Sequence, residues 1–139
     1  MIADAIEGSP VTMQPLIAIV DNDAAVLEAT KYLVETMGFR TETFASAKAF
    51  LGSNAARTAA CLLLDVQMPG IDGIQLQQRL IRANCDLPII FITGFRNEHV
   101  RRRALDSGAI AFLSKPLGRD VLLQSIQLAL RDKSDDAGC

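Results

Sequence analysis

Leu16-Ile17-Ala18-Ile19-Val20-Asp21 decides the fold. Five apolar residues run without interruption and end on a carboxylate. The pattern recurs three times. Cys61-Leu62-Leu63-Leu64 ends on Asp65, Ile89-Ile90-Phe91-Ile92 on Thr93, and Ile110-Ala111-Phe112-Leu113 comes just before Lys115. Continuous apolar runs of this length read as strands buried on both faces, which is the habit of a parallel sheet. In open parallel sheets, ligands bind outside the carboxyl ends of the strands. Two carboxylates, a hydroxyl and an ammonium are therefore expected at one sheet edge. That set suits divalent metal and phosphoryl chemistry.

Helical patterns separate the runs. Asp23 is placed to N-cap a helix carrying Val26, Leu27, Leu33, Val34 and Met37 on its inner face, with Gly38 as its stop. Arg40-Thr41-Glu42-Thr43-Phe44 is a much more polar strand and belongs at a sheet edge. Ser46 caps a short helix with Phe50 and Leu51. The turn cluster Pro69-Gly70-Ile71-Asp72-Gly73 precedes a helix with Ile74, Leu76, Leu80 and Ile81. A further helix spans Asn97 to Ser107, ended by Gly108. The last runs from about Gly118 to Arg131 and buries Leu122, Ile126 and Ala129. The result is an α/β protein: a (βα)5 doubly wound, five-stranded parallel sheet with right-handed crossovers and the flavodoxin-like strand order 2-1-3-4-5. Its switch point lies between strands one and three, at Asp21 and Asp65. Residues 1–15 read as a flexible leader, 16–131 as one domain and 132–139 as a polar tail.

Composition bounds the function. The chain has 139 residues, half of them hydrophobic, and a formal net charge of −2. The absence of global basic character argues against direct nucleic-acid binding. No apolar run approaches the roughly 18 residues of a membrane span, and the N-terminus lacks the pattern of a secretory signal. Cys61, Cys85 and Cys139 are too scattered for a disulfide framework or a zinc site, so a reducing, cytoplasmic setting is expected.

Four segments together resemble the receiver domain of two-component response regulators. They are Ile19-Val20-Asp21-Asn22-Asp23, Leu64-Asp65-Val66-Gln67-Met68-Pro69-Gly70-Ile71-Asp72-Gly73, Ile92-Thr93-Gly94 and Phe112-Leu113-Ser114-Lys115-Pro116. The style resembles receivers that precede a helix-turn-helix output domain. This chain ends too early to hold one, so the expectation is a stand-alone or excised receiver. The resemblance implies that Asp65 accepts a phosphoryl group from a histidine kinase or phosphotransfer protein, catalysing only its own phosphorylation and dephosphorylation. It implies Mg2+ held by Asp21, Asp65 and the backbone carbonyl of Gln67. It gives Lys115 to the phosphoryl oxygens through a cis Lys-Pro bond, and Thr93 and Phe112 to a switch. The switch would remodel the face made by the fourth helix, fifth strand and last helix. Arg96, Arg101, Arg102 and Arg103, with His99 nearby, lie in that fourth-helix segment. They read as a solvated face that meets a second receiver or a downstream output protein.

Asn22 departs from the pattern, since the family usually has a second acidic residue there. Asn offers an oxygen without charge, so weaker Mg2+ binding is expected. The substitution also supports an alternative, a pseudo-receiver that acts as an interaction module without phosphorylation. A flavodoxin-like cofactor binder is disfavoured because Asp21-Asn22-Asp23 would repel phosphate. A dinucleotide enzyme lacks GxGxxG after strand one. A phosphohydrolase would need a second catalytic Asp, and Asp72 is better explained by the turn.

Overall fold

The structure, a computed structural model, describes residues 14–132. Most of the expected leader and tail (1–13 and 133–139) lies outside the described residues. Gln14 and Pro15, assigned to the leader, already accept hydrogen bonds from Arg40, through its Nε at 2.9 Å and its backbone N–H at 3.0 Å.

The strands are β1 (Leu16–Val20), β2 (Arg40–Phe44), β3 (Cys61–Asp65), β4 (Ile89–Thr93) and β5 (Ala111–Ser114). The helices are α1 (Ala24–Thr36), α2 (Ala47–Leu51), α3 (Ala55–Thr58), α4 (Gly73–Arg82), α5 (Glu98–Asp106) and α6 (Arg119–Asp132). The sheet order is β2-β1-β3-β4-β5 with every pairing parallel, as the hydrophobic runs predict. The expected short helix after β2 forms as α2, carrying Phe50 and Leu51, and the additional turn α3 follows it. Ser46 caps α2 by accepting from the Ala49 N–H.

Alternation along each strand sends side chains to two cores. Ala18, Val20, Leu62, Leu64 and Phe91 face a layer with Phe50, Leu76 and Leu80. Ile17, Ile19, Leu63, Ile90 and Ile92 face Val34, Leu122, Ile126 and Ala129. Both faces are covered, so β1, β3 and β4 have no polar side and read as unbroken apolar runs. Burying one Leu or Ile side chain contributes about 1.5–3 kcal/mol, and truncation such as Leu63→Ala costs about 2–5 kcal/mol.

The edges behave differently. β2 alternates exposed and half-buried residues, as expected. β5 is only half-buried despite its apolar sequence, because it has a single sheet neighbour. In α1 the expected inner face is shallower than its periodicity suggests. Val34 is fully enclosed, whereas Val26, Leu27, Leu33 and Met37 are half-buried. Leu51 and Ile81, apolar residues of their helices, are exposed. In α4 the buried face is centred on Gly73, Gln77 and Leu80, so Ile81 falls on its margin. Gln77 takes a core position the apolar pattern did not claim. Its Nε2 donates to the Ala104 carbonyl at 3.0 Å, joining α4 to α5, while its Oε1 has no partner among the described residues.

Candidate phosphoryl site

Asp21 follows β1 and Asp65 ends β3, adjacent strands on either side of the switch point. Both are nearly enclosed, at 4% and 6% exposure. Lys115 leaves β5 through a cis Lys115–Pro116 peptide. Its ammonium donates to Asp21 Oδ2 at 2.9 Å and to Asp65 Oδ1 at 3.5 Å. Three residues that lie up to 94 positions apart in sequence therefore share one charged cluster. Asp21 Oδ1 also accepts the Asp23 N–H at 2.9 Å, which fixes the carboxylate's orientation.

The charges bias one another. Burial, together with the Asp21 charge, pushes the Asp65 carboxyl above its ordinary value, against the pull of Lys115. Burial acts downward on the Lys115 ammonium. Its hydrogen bond to Asp21 and the charges of both carboxylates outweigh this and hold it above its ordinary value. The cluster thus has a demand for positive charge that one ammonium only partly meets.

That demand, with hard carboxylate oxygens as donors, fits a small divalent cation. Among the described residues, no group of three or more His, Cys, Asp or Glu is placed to hold a metal. Further ligands would have to be carbonyl, amide or water oxygens. Asn22 is exposed beside Asp21, and Gln67 is exposed in the loop two residues past Asp65. Asp23 acts as the α1 N-cap, accepting from the Ala25 and Val26 N–H groups. Asp72 is also a cap. It forms a capping box with Gln75, which makes it the start of α4 as well as part of the turn.

Thr93 ends β4 at the same edge and is 1% exposed. Its hydroxyl donates to the Phe95 carbonyl and accepts the Phe95 N–H, both at 3.1 Å. It is therefore engaged with its own loop. Phe112 is half-buried, with its ring 5.9 Å from that of Phe91. Arg96, Arg101, Arg102, Arg103 and His99 are exposed on α5 and the loop before it.

Gly73 is a site residue that spacing did not reveal. A Cβ there would collide with the Asp65 carbonyl oxygen and crowd the Val66 backbone. Its N–H donates to the Val66 carbonyl at 2.9 Å. The only signal in the sequence is a glycine at the first position of a helix, where most residues would serve better.

Among the described residues no helix is long and apolar enough to cross a membrane. The family model for the response regulator receiver domain matches residues 17–127. The chain is 41% identical over 118 residues to the response regulator protein TmoT of Ectopseudomonas mendocina, covering 85% of this chain and 54% of TmoT. The crystal structure of FixJ-N superposes with a TM-score of 0.79 at 27% identity, covering 88% of this chain and 98% of that one. A response regulator receiver protein from Burkholderia phymatum gives a TM-score of 0.73 at 35% identity, covering 88% and 99%. The chain spans about half the length of the curated relatives it matches. Matched in sequence over nearly all its described residues and in the course of its backbone, the chain belongs to the response regulator receiver family of two-component signalling systems.

Proposed function

We propose that the chain is a phosphoaccepting switch and that Asp65 is its acceptor. The observation that carries this reading is the Lys115 ammonium set between two buried carboxylates at the switch point of the sheet. A carboxylate oxygen of Asp65 attacks the phosphorus of a phosphohistidine on a kinase or phosphotransfer protein. The new O–P bond forms as the P–N bond breaks, and the imidazole leaves. Lys115 stabilises charge on the equatorial phosphoryl oxygens. Asp21, Asp65 and the Gln67 carbonyl are the groups that would hold Mg2+, which when bound neutralises carboxylate and phosphoryl charge together. Thr93 gives up its two bonds to the Phe95 backbone and bonds a phosphoryl oxygen. Phe112 follows into the freed space, which changes the face formed by α5, β5 and α6. That face then meets a second receiver or an output element. The chain turns over no external metabolite, and its setting is the cytoplasm.

Phosphotransfer from a kinase or acetyl phosphate, with and without Mg2+, tests the assignment. Labelling is expected in the intact protein with Mg2+ and is expected to be absent in Asp65→Asn. Equal labelling of the two would remove Asp65 from the role. Asn22 supports a second reading, a pseudo-receiver that binds partners without phosphorylation. The absence of any response to beryllofluoride with Mg2+ in the intact protein would favour it.

A further inference from the structure

A groove runs between α4 and α5, with Val66 and Gln67 of the loop after Asp65 lining its near end. Its apolar lining is Met68, Ile71, Ile74 and Val100, with Gln67, Gln75 and Gln78 between them. Its rim is basic, with Arg79 and Arg82 on α4 facing Arg103 on α5. The broader part, beside the loop after β3, encloses about 780 Å3, and a continuation along α4 encloses about 390 Å3. Gln77 to Ala104 at 3.0 Å and Gln78 to Ser107 at 3.4 Å tie the two walls together below the rim. The groove is thus preformed.

The rim arginines have no ion-pair partner among the described residues, unlike Arg101, which pairs with Glu98 at 2.9 Å. Each lies in the last turn of its helix, where the helix dipole favours a cation. The dipole does not dictate which face they take, yet all three line the same groove. Asp72 is the only acidic residue in its lining, and that carboxylate already caps α4 by accepting the Gln75 N–H at 2.8 Å.

We propose that this groove is a docking surface for an acidic amphipathic helix of a partner protein. Apolar side chains of the helix would cover Ile71, Ile74 and Val100, and its flanking carboxylates would pair with Arg79, Arg82 and Arg103. Charge complementarity selects the acid, because arginine forks match carboxylates in bidentate pairs. The apolar lining selects a helix-in-groove mode over nucleic acid, whose backbone would bury no apolar surface against it.

The probe is a fluorescein-labelled 16-residue helical peptide with leucines on one face and glutamates flanking them, titrated by anisotropy. Saturable micromolar binding is expected, weakening at least fivefold between 50 and 300 mM salt. Arg79→Glu with Arg103→Glu, both at exposed positions, is expected to lose at least tenfold in affinity. Arg82→Glu alone is expected to lose less. A peptide with lysine in place of glutamate is expected to bind the double variant better than the intact chain. Unchanged affinity in the double variant overturns the proposal, as does the lack of saturable binding to the intact chain. Displacement of the peptide by mixed-sequence duplex DNA at equal concentration also overturns it.

Discussion

At the residue scale, Asp65 is held in a state that costs stability. Its folded-state carboxyl sits above the ordinary value. Between the unfolded and folded values the folded protein holds the extra proton, so stability falls as pH rises through that window. The cost is fully present above it. Asp65→Asn is therefore expected to melt above the parent at pH 7. The gain should fade as pH is lowered through the carboxylate range. Thermal melts from pH 4 to 8 measure it, and a variant that melts below its parent at neutral pH would contradict the charge balance described.

Lys115 works in the opposite sense. Its folded-state value is raised, so its contribution is complete below the unfolded lysine value and is lost as pH rises through the folded one. Lys115→Met leaves two nearly buried carboxylates facing each other. It is expected to destabilise the protein by about 2–3 kcal/mol at pH 7. Adding Asp65→Asn should recover part of that loss, so a double-mutant cycle from denaturant titrations reads the coupling directly. Asn22 concerns charge count rather than stability. Asn22→Asp adds a third carboxylate near the cluster and is expected to tighten Mg2+ binding about tenfold by calorimetry.

At the element scale, the approach of α4 to the end of β3 matters most. Gly73 opens the helix directly over the Asp65 carbonyl, where no side chain fits. Gly73→Ala must push the start of α4 away from β3. It is expected to cost about 2–4 kcal/mol and to lower phosphotransfer to Asp65 more than its stability loss explains. A melt and a labelling rate measured on the same preparation separate the two effects. Legibility in the sequence differs by element. N-caps are local, so Asp23, Ser46 and Asn97 could be placed from neighbouring residues, and their side chains accept the expected backbone bonds. Burial is not local. Leu51 and Ile81 have the chemistry of core residues, but no neighbouring element covers them. Gln77 is polar but sits in the core because the Ala104 carbonyl of another helix meets it there.

At the scale of the whole molecule, the sheet has three enclosed strands and two weaker edges. β1, β3 and β4 carry side chains into both cores, whereas β2 and β5 are half-buried. Native-state hydrogen exchange should report slowest exchange in Ile17–Val20, Leu62–Asp65 and Ile90–Thr93. Amides of β5 should exchange measurably faster despite its apolar sequence. Equal protection across all five strands would contradict the edge position of β5.

The strand order and the identities of Asp21, Asp65, Thr93 and Lys115 were determined by the sequence alone. A parallel sheet converts uninterrupted apolar runs into central strands and brings whatever follows them to one edge. The tertiary structure decided what these residues touch. Only the folded chain sets the Lys115 ammonium between two carboxylates, engages Thr93 with the Phe95 backbone, requires Gly73 at the Asp65 carbonyl and converges three arginines on one groove. Apart from the local Thr93–Phe95 bonds, these depend on distances between segments that do not adjoin in sequence. Local periodicity and capping chemistry carry no information about such distances.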